Sequence, residues 1–254
     1  MMNFTLSNQV QIPAVGIGTF MMTPDQAEQA VVDALACGYR MIDTAQAYMN
    51  ERAVGRGIKR SGVAREDIFI STKIWASQYL TEGTVEKSLE LLGTDYIDLM
   101  FIHQPAGDFM AGYRKLETVA IRPMVNQIEM HPYFAQESAL KVMEEYQIVS
   151  EAWAPLGGGR HNPFDNEMVK EIAAAHGKTV GQVVLRWNVQ RGVVVIPKSV
   201  HKARIEENFQ IWDFTLTEEE MQKISSLDLG YQGTAVKHFD PEFVKMCNIR
   251  KIHE

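Results

Sequence analysis

Residues 41–51, which read MIDTAQAYMNE, hold the feature that decides the fold. An apolar, strand-like run ends at Asp43, and Tyr48 follows in the loop just before a helical pattern opens at Asn50. In parallel α/β proteins, polar side chains with chemical roles stand where buried strands end. This stretch therefore raises the question of which residue follows each of the remaining strands.

Strand-like apolar runs alternate with helical patterns along nearly the whole chain. Thr23 is suited to cap the first long helix and Gly38 to end it. The strands are short and apolar on both faces, which is typical of parallel strands covered on both sides. Further strands are expected at 67–73, 96–103, 124–130, 148–153 and 193–197, further helices near 136–145, 166–176, 179–191 and 217–227, and an N-terminal hairpin at 4–13.

The first strand of the alternating series, AVGIGTF at 14–20, lacks the GxGxxG signature of an open dinucleotide-binding sheet. A closed barrel fits the pattern better. The chain contains no Pro/Ser-rich linker and no low-complexity tract, so we predict a single (β/α) barrel domain over residues 1–254.

The composition excludes several classes of protein. The chain has 25 Lys and Arg against 32 Asp and Glu, a net charge of −7, and no basic block, which argues against nucleic-acid binding. Cys37 and Cys247 form neither a disulfide framework nor a metal-spaced cluster, so we expect no metal. From its N-terminal composition and its apolar runs we expect neither a signal peptide nor a membrane-spanning segment. We expect a cytoplasmic monomer that acts on a small molecule.

Each strand is followed by a residue that differs from the apolar run before it. In a (β/α) barrel these ends share one rim, so Asp43, Lys73 and His103 would meet there, with Tyr48 beside them. Singly, each has an ordinary explanation as a turn cap, a solvated cation, a hydrogen-bonded ring or a packed phenol. Four such residues on one rim favour a catalytic role over these ordinary explanations. The full set of strand-end residues is Asp43, Lys73, His103, Gln127, Trp153 and Lys198.

The chemistry that these four residues suit is proton donation by a tyrosine. A free phenol titrates near pH ~10, and a neighbouring ammonium lowers that pKa by favouring the phenolate. Asp43 can hold Lys73 charged and in place, while His103 can donate a hydrogen bond to a carbonyl oxygen. None of these groups can supply a hydride, so carbonyl reduction would require a cofactor.

A cofactor site is suggested by the stretch at 193–209, VVVIPKSVHKARIEENF. Lys198 and Ser199 follow a strand, and a short helix then carries Arg204 and Asn208 on one face, which suits a phosphate. The alternative is a solvated basic turn. The LGGGR stretch at 156–160 could wrap a pyrophosphate or be an ordinary flexible loop. Trp153 could stack on a nicotinamide ring or simply pack in the core.

Several motifs resemble the aldo-keto reductase superfamily, bacterial type, in family order across nearly the whole chain. They are GYRMIDTAQAYMNE, ISTKIW, DLMFIHQP, VNQIEMHPY, AWAPLGGG and IPKSVHKARIEENFQIWDF. The resemblance implies a TIM-type (β/α)8 barrel that binds NADPH and reduces a carbonyl to an alcohol. Many members have Tyr at the position of Trp153 and Trp at that of Gln104, so this chain is a variant at both.

The resemblance also implies a role for individual residues. Tyr48 would be the proton donor of a catalytic tetrad, and Gln127 would bind the carboxamide of nicotinamide. The implied sets are Tyr48, Asp43, Lys73 and His103 for catalysis; Gln127 and Trp153 for nicotinamide; Lys198, Ser199 and Arg204 for the 2′-phosphate; Glu207 and Asn208 for adenine; and Ala154 and Leu156 as further cofactor-binding residues. Trp75, Phe20 and Met49 are candidate substrate-pocket walls, with ordinary packing as the alternative.

One departure from the family is large. The run AGYRKLETVAIRPMVNQIE passes straight through where members have a further strand and helix, which leaves seven barrel strands and about 30 fewer residues. Either the polypeptide has an internal deletion near Leu116–Thr118, or the segment exists and is missing from the sequence as written. We expect the second, with a chain break at 116–118, because a barrel lacking one strand exposes two unpaired edges. The missing unit also keeps open a second reading, a non-catalytic nucleotide-binding barrel or an impaired deletion variant.

Overall fold

The computed structural model describes residues 2–117, 123–159, 161–234, 240–250 and 252 of the chain. Strands and helices alternate within these ranges, as the periodicity predicts. The strands are β1 Asn3–Thr5, β2 Gln11–Pro13, β3 Ile17–Gly18, β4 Met41–Asp43, β5 Phe69–Ile74, β6 Leu99–Ile102, β7 Val125–Glu129, β8 Val149–Trp153 and β9 Val193–Val195. The helices are α1 Pro24–Cys37, α2 Glu51–Ser61, α3 Thr84–Leu92, α4 Phe109–Glu117, α5 Glu137–Glu145, α6 Glu167–Ala175, α7 Val180–Gln190, α8 Lys202–Phe209, α9 Glu218–Ser225 and α10 Pro241–Ile249.

The chain divides into two compact units. The first comprises residues 1–16, 123–198 and 203–235, and the second comprises 17–122, 199–202 and 236–254. We call them the β7–β9 unit and the β3–β6 unit. The expectation of one domain over 1–254 stays a prediction.

The β3–β6 unit contains a parallel sheet with its strands in chain order, β3-β4-β5-β6. In this register Asp43 pairs with Ser71 on β5, and Lys73 pairs with Phe101 on β6. Because the strands are parallel and consecutive, their carboxyl ends lie at one edge of the sheet. The sequence-predicted caps of the first helix are confirmed, since the Thr23 side chain accepts from Gln26 and Gly38 takes a left-handed conformation.

The β7–β9 unit contains a second parallel sheet, β7-β8-β9, and the predicted N-terminal hairpin of β1 and β2. Gln127 pairs with Glu151, and Glu129 pairs with Trp153. Helices α6, α7 and α9 pack around the fully buried Trp187 and bury their apolar faces there. Capping boxes at Thr179 and Thr217 fix the first turns of α7 and α9.

The region of the expected missing unit lies between α4 and β7. Within the described residues, β6 stands at one end of its sheet and β7 at one end of the other. Within the described residues, the parallel sheets contain seven strands, β3 to β9, which is the number predicted from the sequence. The predicted break at Leu116–Thr118 reaches into residues 118–122, which lie outside the described residues, and it stays a prediction.

The helices in the part of the chain that the structure describes were compared with the length and hydropathy that a membrane-spanning helix needs. None of its helices is both long enough and apolar enough to span a bilayer.

Candidate active site

A buried ion pair occupies the carboxyl edge of the β3–β6 sheet. The Lys73 ammonium donates to Asp43 Oδ2 at 2.5 Å and to the Thr44 carbonyl oxygen at 2.9 Å, and both ionic residues are at most 2% exposed. Ser71 donates to the other Asp43 oxygen, Oδ1, at 2.9 Å. Buried charges persist when they are paired and hydrogen-bonded, and this arrangement meets both conditions.

The phenol predicted to donate a proton lies next to this pair. The Tyr48 hydroxyl oxygen is 3.4 Å from Lys73 Nζ, and the ammonium is 5.0 Å from the centroid of the Tyr48 ring. Tyr48 ends a single turn of 3-10 helix, Gln46–Tyr48, so it does not lie in the irregular loop expected from the sequence. The short turn brings the hydroxyl back over the end of β5.

His103 follows β6 and completes the group. Its ring centroid lies 5.7 Å from that of Tyr48 and 4.9 Å from that of Trp75, edge-on to both. The Tyr79 hydroxyl lies 2.5 Å from the carbonyl oxygen of His103 and 2.7 Å from that of Gln104, so it shares its one hydrogen between them. Burial raises the pKa of Tyr79, which keeps it a hydrogen donor. All four predicted catalytic residues are therefore brought together.

Two buried amides hold the turn that carries Tyr48. The Asn50 amide donates to the Thr19 carbonyl at 2.9 Å, and its oxygen accepts from Thr44 at 3.0 Å. The Gln46 amide donates to Thr84 at 3.0 Å and accepts from the backbone of Trp75 at 3.1 Å. These bonds fix the turn against β3, β4 and β5, because an unpaired buried amide is costly.

A third buried carboxyl lies behind the ion pair. Glu51, in the first turn of α2, accepts from Thr72 at 2.7 Å and from Ser88 at 3.4 Å. Burial raises its pKa, while the two hydroxyl donors and then the Lys73 charge act in the opposite direction. The folded protein thus holds this proton at pH values where the unfolded chain has lost it.

This pKa shift predicts a pH-dependent stability. The free energy of unfolding contributed by Glu51 should fall as pH rises from the ordinary glutamate pKa through the raised one, because only the unfolded chain releases the proton readily. Glu51→Gln should remove that contribution. Urea unfolding from pH 4 to pH 8 measures it, and Glu86→Gln, at an exposed position on α3, is the control. Parallel stability curves for wild type and Glu51→Gln would contradict the prediction.

The predicted pocket walls differ in exposure. Trp75 is 3% exposed, whereas Phe20 is 52% and Met49 47% exposed. The Phe20 ring lies edge-on to Tyr48 with centroids 5.1 Å apart. Met49 follows Tyr48 with a left-handed backbone, φ 57°. The structure places Trp75 and Phe20 in ring contact with the tetrad.

In the β7–β9 unit, Gln127 is held by an acid. Its amide nitrogen donates to Glu151 Oε1 at 2.5 Å, and Glu151 is fully buried within β8. Because Glu151 accepts from the nitrogen, the amide is oriented with its oxygen turned away from that bond. The sequence analysis did not single out Glu151, although an acid inside the apolar run IVSEAW was the available signal.

The segment after β8 turns sharply. Trp153 is half-buried at the end of the strand, and Ala154 has a left-handed backbone with φ 49°. Leu156 packs against the core around Trp187. Gly157 is required where it stands, since a Cβ there would lie 2.0 Å from the His161 carbonyl oxygen. Arg160, the last residue of the predicted LGGGR loop, lies outside the described residues.

Of the predicted phosphate residues, Lys198 and Ser199 lie between β9 and α8, and Arg204 lies in the first turn of α8. Lys198 and Arg204 are exposed, whereas Ser199 is buried and accepts from the backbone of His201 at 3.1 Å. Asn208 is also buried, at 6% exposure, so little of its side chain reaches solvent. Glu207 is half-buried and accepts from the Thr179 hydroxyl at 2.9 Å.

A family model described as "Aldo/keto reductase family" matches residues 14–119 and 110–229. Among curated proteins, the chain is 42% identical to a 9,11-endoperoxide prostaglandin H2 reductase of Trypanosoma cruzi, over 88% of this chain and 90% of the relative. It is 41% identical to a glyoxal reductase of Bacillus subtilis, over 88% and 91%.

Solved structures of the same family are also similar. An aldo/keto reductase from Brucella melitensis has a TM-score of 0.84 at 39% identity, over 89% of this chain and 99% of that one. A Bombyx mori aldo-keto reductase, solved in complex with NADP, has a TM-score of 0.86 at 29% identity, over 96% of both chains. The predicted fold class, a TIM-type (β/α)8 barrel, is confirmed by these likenesses.

The two pieces of the family match overlap at 110–119, where the sequence predicts the missing unit. The alignment to the Trypanosoma cruzi protein has 257 positions, whereas 88% of 254 residues is about 224, so about 33 positions face a gap in this chain. A deletion and an omitted segment both predict such a gap.

Three observations agree: the motifs stand in family order, the family model matches most of the chain, and the two curated relatives are more than 40% identical. The chain belongs to the aldo/keto reductase family of NAD(P)H-dependent oxidoreductases.

Proposed function

We propose that this protein reduces an aldehyde or ketone to an alcohol, with NADPH as the hydride source and Tyr48 as the proton donor. The observation that carries the proposal is the Tyr48 hydroxyl, 3.4 Å from a Lys73 ammonium that is itself paired with buried Asp43. A positioned acid beside a fixed cation is what protonation of an alkoxide requires.

NADPH, when bound, supplies the hydride to the carbonyl carbon. His103 and Tyr48 donate hydrogen bonds to the carbonyl oxygen and stabilise the charge that develops on it. Tyr48 then transfers its proton to the alkoxide oxygen, and the adjacent Lys73 ammonium stabilises the phenolate that remains. Asp43 keeps Lys73 charged and in place, so it acts as a positioning residue.

The residues assigned to the cofactor suit it by their chemistry. Gln127, oriented by Glu151, offers an amide oxygen to the carboxamide of nicotinamide, and Trp153 offers a flat face to the ring. Ala154 and Leu156 line the turn that follows. Exposed Lys198 and Arg204 provide positive charge for the 2′-phosphate, together with Ser199. Asn208 and Glu207 are assigned to adenine, and the bond from Thr179 to Glu207 would then fix the carboxylate.

The charge at Arg204 predicts a preference for NADPH over NADH. Arg204→Gln should weaken NADPH binding ~10-fold or more, because a charged hydrogen bond to phosphate is lost, and should change NADH binding little. Titration of intrinsic fluorescence with each cofactor measures this. Lys141→Gln, which removes a charge from exposed α5, is the control. Equal losses for both cofactors would show that Arg204 does not read the 2′-phosphate.

The proposal as a whole is tested by mixing the protein with NADPH and a generic aldehyde and following the loss of cofactor absorbance. The missing unit favours the second candidate, a nucleotide-binding barrel without turnover. Tight NADPH binding with no aldehyde-dependent oxidation would select that candidate. The glyoxal reductase among the relatives makes a small α-dicarbonyl a sensible first substrate. Monomeric state and cytoplasmic location remain predictions, which sedimentation and cell fractionation test.

A further inference from the structure

Beside the tetrad lies a cation, Arg250, and the proposed mechanism does not use this residue. Arg250 directly follows α10, and its guanidinium carbon lies 5.4 Å from the centroid of the Trp75 ring. The same side chain donates to the Ala47 carbonyl oxygen at 3.3 Å, one residue before Tyr48. The guanidinium therefore touches both a predicted pocket wall and the turn that carries the proton donor.

This placement is fixed by the packing of α10. The Trp75 indole nitrogen donates to the Cys247 carbonyl oxygen at 2.8 Å, and Cys247 is fully buried in a cluster with Ala47, Trp75 and Ala106. The helix is thus fastened to the indole three residues before Arg250. Arg250 itself is exposed, so its guanidinium is open to a ligand from solvent.

The charge environment of Arg250 favours an anion. Within the ranges that the structure describes, its polar partners are the Ala47 carbonyl and the Trp75 ring face, and no carboxylate lies within ion-pair distance. An arginine presents several N–H donors in a planar fork that matches a carboxylate. One bond to a backbone carbonyl leaves most of those donors for a ligand.

We propose that Arg250 binds a carboxylate of the substrate and makes the enzyme selective for carbonyl compounds that carry one. The proposal rests on the proposed function, because it uses His103 and Tyr48 as the site of the reacting carbonyl. The Trp75 centroid is 5.4 Å from the guanidinium carbon and 4.9 Å from the His103 centroid, so cation and imidazole are at most 10.3 Å apart. A small aldehyde with its carboxylate at the far end spans that separation.

The test compares 4-carboxybenzaldehyde with methyl 4-formylbenzoate, which has the same length and no charge. Wild type should prefer the acid, and added salt should reduce the preference. Arg250→Met should lower kcat/KM for the acid ~10-fold, mostly through KM, and leave the ester unchanged. Arg250→Lys should retain part of the preference. Lys245→Met, an exposed charge on α10, is the matched control and should behave as wild type.

An equal loss for both aldehydes in Arg250→Met, or a loss for neither, overturns the proposal. If wild type turns over neither aldehyde, the proposed function fails separately, and calorimetric binding of the two aldehydes decides the role of Arg250. Binding of the acid that weakens in Arg250→Met while binding of the ester does not supports the carboxylate site, and equal binding in both proteins overturns it.

Discussion

Tyr48→Phe should lower kcat/KM for carbonyl reduction by at least ~10²-fold, because the change removes the positioned acid and leaves the ring in place. The Phe ring retains the edge-on contacts with Phe20 and His103, so the pocket should keep its shape. Cofactor affinity should change little, since the change deletes one hydroxyl. Steady-state kinetics and a fluorescence titration with NADPH measure the two quantities separately.

Tyr146→Phe is the matched control, because Tyr146 is exposed after α5 and lies in the β7–β9 unit. It removes a phenolic hydroxyl far along the chain from the tetrad and should leave kcat/KM unchanged. Wild-type turnover in Tyr48→Phe would show that another group supplies the proton.

Lys73→Met should damage both activity and stability. The substitution leaves the Asp43 carboxylate buried without its cation, which costs about 3–5 kcal/mol in the free energy of unfolding. The double variant Lys73→Met/Asp43→Asn should recover part of that stability, because the uncompensated charge is gone, and should remain inactive. Urea denaturation and kcat measurements on both variants separate the two effects.

Lys170→Met is the control for charge removal at the surface. Lys170 pairs with Glu167 in an exposed ion pair, and exposed pairs contribute little, so its loss should leave unfolding nearly unchanged. If the double variant is no more stable than Lys73→Met, the buried charge of Asp43 is not what destabilises the single variant.

Much of the fold could be predicted because its signals are local. Thr23 and Gly38 mark the ends of α1 through their own backbone and side-chain bonds, and the structure has both caps. The ends of strands were predicted less accurately: the strand expected at 96–103 is paired only over Leu99–Ile102. Apolar residues flanking a strand look the same whether or not they join the ladder, so periodicity cannot set the boundary.

The candidate site was predicted in part. Asp43, Lys73 and His103 stand at strand ends, which is a position visible in the sequence, and Tyr48 was assigned from its place in the loop behind Asp43. Tyr79 and Arg250 were not singled out, because the contact of Tyr79 with His103 and that of Arg250 with Trp75 come from long-range packing that spacing does not encode. The 3-10 turn at Gln46–Tyr48 was missed for the same reason, since amide bonds from Gln46 to distant residues hold it.

The burial of Lys73 also makes it a reporter of local opening. Amine-reactive reagents acylate the neutral form of a lysine that they can reach, and the Lys73 ammonium is 2% exposed and bound to Asp43 and Thr44. Surface lysines such as Lys170 should be labelled at once, and Lys73 only when the carboxyl edge of the β3–β6 sheet opens. The rate of acylation at Lys73, read by peptide mass spectrometry, would therefore measure how often this edge of the sheet opens in the native protein.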